Sequence, residues 1–192
     1  ALLSSYALLA YGLASAIIVW GTRVEAYRRT CGVMGGLLIP ANWTVEFIVV
    51  DHASVDATPA VVRDARLQKP RWKYVSELKA GHSLALNQGI SASRGDVLLF
   101  TDDDVVPAED WLERIATPIL EGECDAVAGR IELAGHLERS WMKPVHRTWL
   151  AANGGMRQGE LEMFGANMGI ARFGLQRLPE FDPALCPGRL GF

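Results

Sequence analysis

The chain has 192 residues, 49% of them hydrophobic and 21% charged, which is ordinary usage for a single globular domain and excludes intrinsic disorder. Its net charge of −3 excludes a nucleic-acid binder, because no basic excess is present to neutralise phosphates. Cys31, Cys124 and Cys186 form no C-x-x-C pair and no zinc spacing, which points to a reduced, cytoplasmic setting.

The first 22 residues carry no charge. One reading is a membrane anchor with Arg23, Arg28 and Arg29 on its cytoplasmic flank, which would hold the protein at the inner face of a membrane. The other is a short apolar segment over 1–13 followed by a buried strand from Ala14 to Val19. Next, "VEAYRRTCGVMGGLL" predicts a helix with Val24, Tyr27, Cys31 and Met34 on one face. "VEFIVVD", apolar and β-branched throughout, predicts a strand buried on both faces. Thr58 before Pro59 marks a helix start, and "WKYV" a short strand. "SLALNQGISASRG" predicts a helix closed by Gly95, and "DVLLFT" another buried strand. "AEDWLERIATPIL" is amphipathic through Trp111, Leu112, Ile115 and Ile119, with Pro118 set to kink or end it. "DAVAG" is a fifth strand. Beyond Arg130 the pattern loosens into what reads as the less regular wall of a cleft. The four histidines are scattered without metal spacing, and most read as surface or loop residues.

Strands alternating with helices at this spacing predict an α/β fold, a mostly parallel sheet with helices on both faces. Ligands of such sheets bind beyond the carboxyl ends of the strands. Two acidic features fall there: Asp51 ends "FIVVD", and Asp102, Asp103 and Asp104 follow "VLLFT". In extended backbone, residues i and i+2 project together, so Asp102 and Asp104 face one side and Asp103 the other. Adjacent carboxylates raise each other's pKa unless a cation intervenes. Mg²⁺ or Mn²⁺ takes oxygen ligands and commonly one or two carboxylates plus substrate phosphates, so a D-x-D at a strand end suits a metal-bound diphosphate. The competing reading is a solvated acidic turn ahead of the helix that Asp110 precedes. For Asp51 it is a turn-closing aspartate.

"VEFIVVDHASVDAT" resembles the V-V-D-x-G-S-x-D-x-T segment of family 2 glycosyltransferases, which have the GT-A fold. "KAGHSLALNQGISASRGDVLLFTDDDVVPAEDWL" is similar to that family's next block, and "GANMGIARFGLQRLPEFDPALCPG" to its later G-A-N-M segment. The resemblance implies inverting transfer of a sugar from a nucleotide-diphosphate-sugar donor to a hydroxyl of a sugar, lipid-linked or small-molecule acceptor. It implies Asp51 at the nucleotide base, Asp102 at the ribose or metal, and Asp104 as ligand to Mn²⁺ or Mg²⁺. Gly81 and Asn87 match the block near the nucleotide, and Thr22 could offer the donor a hydroxyl. Asn167, Phe181 and Asp182 would line the acceptor side. Residues 14–129 would form the donor-binding half and 130–192 an incomplete acceptor-side half.

Several positions depart from the family pattern. "VWGT", Val19 to Thr22, replaces the usual loop after the first strand, His52 and Ala53 replace an acidic or amide residue and a glycine, and Leu86 stands where arginine is frequent. The acidic pair that supplies the family's catalytic base is expected just beyond Phe192. These departures keep a second hypothesis in play, a nucleotide-sugar-binding module without turnover. A nucleotidyltransferase fits less well, because "VWGTRVEAYRR" has a single glycine where a triphosphate-cradling loop needs several.

Overall fold

The computed structural model describes residues 12–20, 32–52, 60, 71–77, 81–151 and 165–184. A six-stranded sheet organises them, in the order β3-β2-β1-β4-β6-β5. The strands are β1 (Gly12–Trp20), β2 (Trp43–His52), β3 (Trp72–Glu77), β4 (Val97–Asp102), β5 (Ala126–Ala128) and β6 (Asn167–Ala171). β3, β2, β1 and β4 pair in parallel, whereas β6 runs antiparallel between β4 and β5. The helices are α1 (His82–Ala92), α2 (Trp111–Leu120), α3 (Pro144–Leu150) and the single turn α4 (Arg172–Leu175), and residues 32–35 are also helical. The expected mostly parallel α/β architecture is what forms. The helix start expected at Thr58 and residues 24–31 of the helix expected over 24–38 lie outside the described residues.

Residues 12–20 form an inner strand of the sheet, so the charge-free run of 22 is not one membrane-spanning helix. No helix among the described residues is long and apolar enough to cross a membrane. β1 begins at Gly12, two residues before the expected start.

The apolar runs are continuous because the sheet is covered twice. Val45, Phe47 and Val49 of β2 and Val97 and Leu99 of β4 pack on one face with Met34, Leu37 and the α2 residues Trp111, Leu112, Ile115 and Ile119. Ile48, Val50, Leu98 and Phe100 point the other way, against Ala85 and Leu86 of α1. Period-two alternation within an all-apolar strand is what two-sided burial requires. Burying each of these large side chains contributes about 1.5–3 kcal/mol.

Three local expectations are revised. α1 ends at Ala92 and is closed not by Gly95 but by Ser93, whose hydroxyl donates to the Ile90 carbonyl at 2.6 Å. α2 continues to Leu120, so Pro118 lies inside its last turn and does not end it. Proline is tolerated there because the N–H it lacks would pair with the exposed Arg114 turn, where water can serve the carbonyl. The third is β6, a strand where only irregular chain was expected; it carries the later half of the sequence into the sheet.

Polar ties close the edge of the sheet away from the strand carboxyl ends. Glu46 of β2 pairs with Lys73 of β3 and accepts the Arg94 backbone N–H at 2.5 Å. Lys73 also donates to the Ala92 carbonyl at the end of α1, at 3.3 Å. Arg172 donates to the Gly95 carbonyl at 2.6 Å and to the Ser93 hydroxyl at 2.7 Å.

α2 lies close to β6 because Gly169 has no side chain. A Cβ there would stand 2.5 Å from Ile115 Cγ2 and 3.2 Å from Ile119 Cδ1. Ile115 is β-branched and stiff, so it cannot swing aside. Gly169→Ala is expected to lower stability by about 1–3 kcal/mol, read as a reduced urea midpoint with an unchanged denaturant slope.

Candidate active site

Parallel pairing brings the acidic strand ends to one rim. Asp51 of β2 lies in register with Trp20 of β1, and Asp102 of β4 with Val19. One strand separates them, about 10 Å in sheet spacings. The pleat sends them to opposite faces: Asp51 alternates with Val49 and Phe47, and Asp102 with Phe100 and Leu98. A ligand that touches both therefore crosses the tip of β1.

Asp51 is 1% exposed, and the hydroxyl of Tyr74 on β3 donates to its Oδ2. Tyr74 was not singled out from the sequence. The alternation that places it on the Asp51 face was visible in "WKYV", but the register of β3 against β2 was not. Burial with a fixed donor leaves Asp51 oriented by the scaffold rather than by solvent.

Asp102 closes β4, and the chain turns at once: Asp103 and Asp104 form a turn in which the Val105 N–H approaches the Asp102 carbonyl at 3.5 Å. The expected extended geometry thus stops one residue in, and the turn brings Asp104 near Asp102 by another route. Burial, followed by repulsion from Asp104, pushes the Asp102 carboxyl up to about 6. Among the described residues neither the Asp102 nor the Asp104 side chain has a hydrogen-bond or ion-pair partner. Two oxygen-donor groups held together without a compensating charge are the donor set that a hard divalent cation takes. No three His, Cys, Asp or Glu side chains converge among the described residues.

Gly81 precedes α1 with φ at 155°, a positive value that disfavours a side chain, and it is buried. His82 begins α1 beside it and is half-buried, and desolvation lowers its pKa, which favours the neutral imidazole. A Cβ on Gly165 would stand 3.7 Å from its Nε2, so His82 faces the segment that leads into β6. Thr22 lies outside the described residues. Leu86, where arginine is frequent, is a core residue at 5% exposure on the α1 face of the sheet.

Asn87 grips the later segment. Its Nδ2 donates to the Phe181 carbonyl at 2.9 Å, and its Oδ1 accepts the Phe181 N–H at 3.0 Å. The Phe181 ring meets Phe100 edge-on at 6.4 Å between centroids, two residues before Asp102 on the same face. Asp182 is exposed, and its Oδ1 accepts the Ala184 N–H at 2.8 Å. Asn87 acts at the rim through this segment, with both ends of its amide committed to main chain.

Asn167 is likewise tied. Its Oδ1 accepts the Trp111 indole N–H at 2.9 Å, and its Nδ2 donates to the Arg130 carbonyl at 2.8 Å. Its own carbonyl accepts the Gly129 N–H at 2.9 Å. A Cβ on Gly129 would fall 2.3 Å from the Asn167 amide. Asn167 thus fastens the start of β6, the end of β5 and the start of α2 into one corner beside Thr101, its partner on β4.

Comparison with known proteins agrees with this geometry. Residues 42–177 match the profile of Glycosyl transferase family 2. The putative glycosyltransferase EpsH of Bacillus subtilis is 30% identical over 100 residues, 52% of this chain and 27% of EpsH. Glycosyltransferase GlyA of Streptococcus pneumoniae is 27% identical over 59% of this chain and 16% of its own length. The chain therefore spans roughly a sixth to a quarter of these two relatives. Among solved structures, the mannosyltransferase PcManGT of Pyrobaculum calidifontis, in complex with GDP-Man and Mn²⁺, superposes with a TM-score of 0.67 at 20% identity. The match covers 88% of this chain and 47% of that one. Glucosyl-3-phosphoglycerate synthase of Mycobacterium tuberculosis, with Mn²⁺, UDP-glucose and phosphoglyceric acid, gives 0.62 at 20% identity over 88% and 60%. With a family profile covering well over half its length, the chain belongs to glycosyl transferase family 2.

Proposed function

We propose that this protein binds a nucleotide-diphosphate-sugar at the rim formed by β1, β2 and β4 and transfers the sugar, with inversion, to an acceptor hydroxyl. The carrying observation is the Asp102–Asp104 pair, two carboxylates without a described partner at the end of β4, with Asp51 one strand away. The solved relatives described above, bound to GDP-Man or UDP-glucose with Mn²⁺, support this reading.

In this proposal Asp51, held by Tyr74, receives the nucleotide base, and Asp102 and Asp104 hold Mn²⁺ or Mg²⁺ against the diphosphate. Bound there, the ion offsets charge that develops on the departing diphosphate. Gly81 shapes the backbone where α1 meets the donor, and Thr22 could offer the donor a hydroxyl. Phe181 and Asp182, kept in place by Asn87, flank the acceptor side, and Asn167 supports that wall through Trp111 and Arg130. Sugars, lipid-linked sugars and small hydroxylated molecules all fit as acceptors. General-base chemistry would need an acidic side chain within reach of the acceptor hydroxyl.

Release of free nucleoside diphosphate from UDP- or GDP-sugars in the presence of Mn²⁺ tests the transfer reading. Binding of the donor without release supports instead the non-catalytic module.

Metal linkage is testable without turnover. By calorimetry, Mn²⁺ is expected to strengthen UDP or GDP binding to the wild type and to have no such effect in Asp104→Ala. Protons compete with the ion for Asp102, whose carboxyl titrates near 6, so Mn²⁺ affinity is expected to fall about tenfold between about pH 7 and pH 5. The sign for the metal-free fold is opposite. Its Asp102 pKa lies above the unfolded value, so protonation stabilises it most below about pH 4, and that contribution is lost as pH rises through about 6.

Asn87→Ala leaves the Phe181 N–H and carbonyl without their partner and is expected to cost about 1–3 kcal/mol. Under this reading it raises the acceptor KM while leaving UDP or GDP affinity within about twofold. A matching loss of nucleotide affinity would return Asn87 to the donor side.

A further inference from the structure

The connection between β5 and β6 leaves the acidic rim at Gly129 and returns to it at Asn167. Its described part contains a short unit, residues 135–147, that is braced by its own polar contacts. Arg147 makes two-pronged bonds to the Glu138 carboxylate, at 3.0 Å from both Nε and Nη2. The Lys143 N–H donates to His146 Nδ1 at 2.9 Å, and Arg139 donates to the His136 and Glu138 carbonyls at 2.7 and 2.8 Å. Trp141 stands edge-on to His146 at 5.3 Å between centroids.

What this bracing holds outward is apolar. Leu137, Trp141 and Val145 are 44%, 64% and 53% exposed, although leucine, tryptophan and valine are the side chains that folding normally hides. They alternate along the chain with Arg139 and Lys143, neither of which has a carboxylate partner among the described residues. The segment holds three basic residues and one acidic residue in a chain whose net charge is −3, so its sign is opposite to that of the whole. A tryptophan with aliphatic neighbours and flanking lysine and arginine is the composition that settles at a bilayer interface, ring and alkyl groups among the acyl boundary and cations at the headgroups.

We infer that residues 135–147 dock the protein on an anionic membrane surface, through Leu137, Trp141 and Val145 for the apolar boundary and Arg139 and Lys143 for the headgroups. The inference does not depend on the transfer reading, since binding to lipid needs neither donor nor metal. The unit is already ordered by its internal contacts, so little further ordering accompanies docking.

The experiment is co-sedimentation of the 192-residue chain with phosphatidylcholine vesicles, with and without phosphatidylglycerol. Binding is expected only to the vesicles that contain phosphatidylglycerol and is expected to weaken with added salt. Lys143→Glu, at an exposed ammonium without a carboxylate partner among the described residues, should lower partitioning about fivefold or more. Trp141→Ala should lower it as well, with an unchanged circular dichroism spectrum. No sedimentation with anionic vesicles at low ionic strength overturns the inference. So does equal binding to neutral and anionic vesicles, or wild-type partitioning by both variants. A concentration-dependent dimer that Trp141→Ala abolishes would assign the patch to a second copy of the chain and overturn it too.

Discussion

A parallel strand that is apolar on both faces has only its ends left for polar chemistry, and parallel pairing puts the carboxyl ends of all such strands at one rim. That constraint decides where this molecule keeps its acids. β2 and β4 are buried on both sides from Phe47 to Val50 and from Val97 to Thr101, and each of these runs is followed by an aspartate, Asp51 buried and Asp102 half-buried. The opposite rim holds the basic residues Lys73 and Arg172, which are occupied with Glu46 and with main-chain carbonyls. Side chains are thus sorted along the strand axis, acidic at one rim and paired with opposite charge or main chain at the other, where helices and strands are tied. The aspartates stay where they are because the apolar strands beneath them are anchored.

The antiparallel β6 adds a second consequence. Running against its neighbours, it delivers its first residue rather than its last to the acidic rim, so Asn167 arrives beside Thr101. Trp111 and Arg130 then fix Asn167, and Asn87 fixes Phe181 against Phe100. The two halves of the chain meet through amides bonded to main chain or indole. Their geometry is set by short, directional contacts at 2.8–3.0 Å.

The sequence revealed the parts of this arrangement that are local. Five strands were legible because their apolar, β-branched runs carry the signal themselves, and the α2 face because Trp111, Leu112, Ile115 and Ile119 recur at helical spacing. Asp51 and Asp102 were legible because each follows such a run. β6 was not: Gly169 interrupts it, and its strand state depends on pairing with β4 and β5 and on the close approach of α2. Tyr74 escaped notice because its bond to Asp51 depends on the register of β3, which no local pattern states. Asn87 and Asn167 were found as motif positions, but their bonds to residues 94 and 56 positions away were beyond sequence logic. His82 shows the same limit from the other side: spacing gave it no role, and only folding half-buries it against Gly165.

The excursion between β5 and β6 opens and closes on adjoining strands of a single margin. A loop with both feet planted side by side can be lengthened, shortened or exchanged without re-threading the layers beneath it, because closure entropy grows only slowly with length. Evolution, or a protein engineer, can therefore rewrite this stretch while the strands that carry Asp51 and Asp102 are inherited whole.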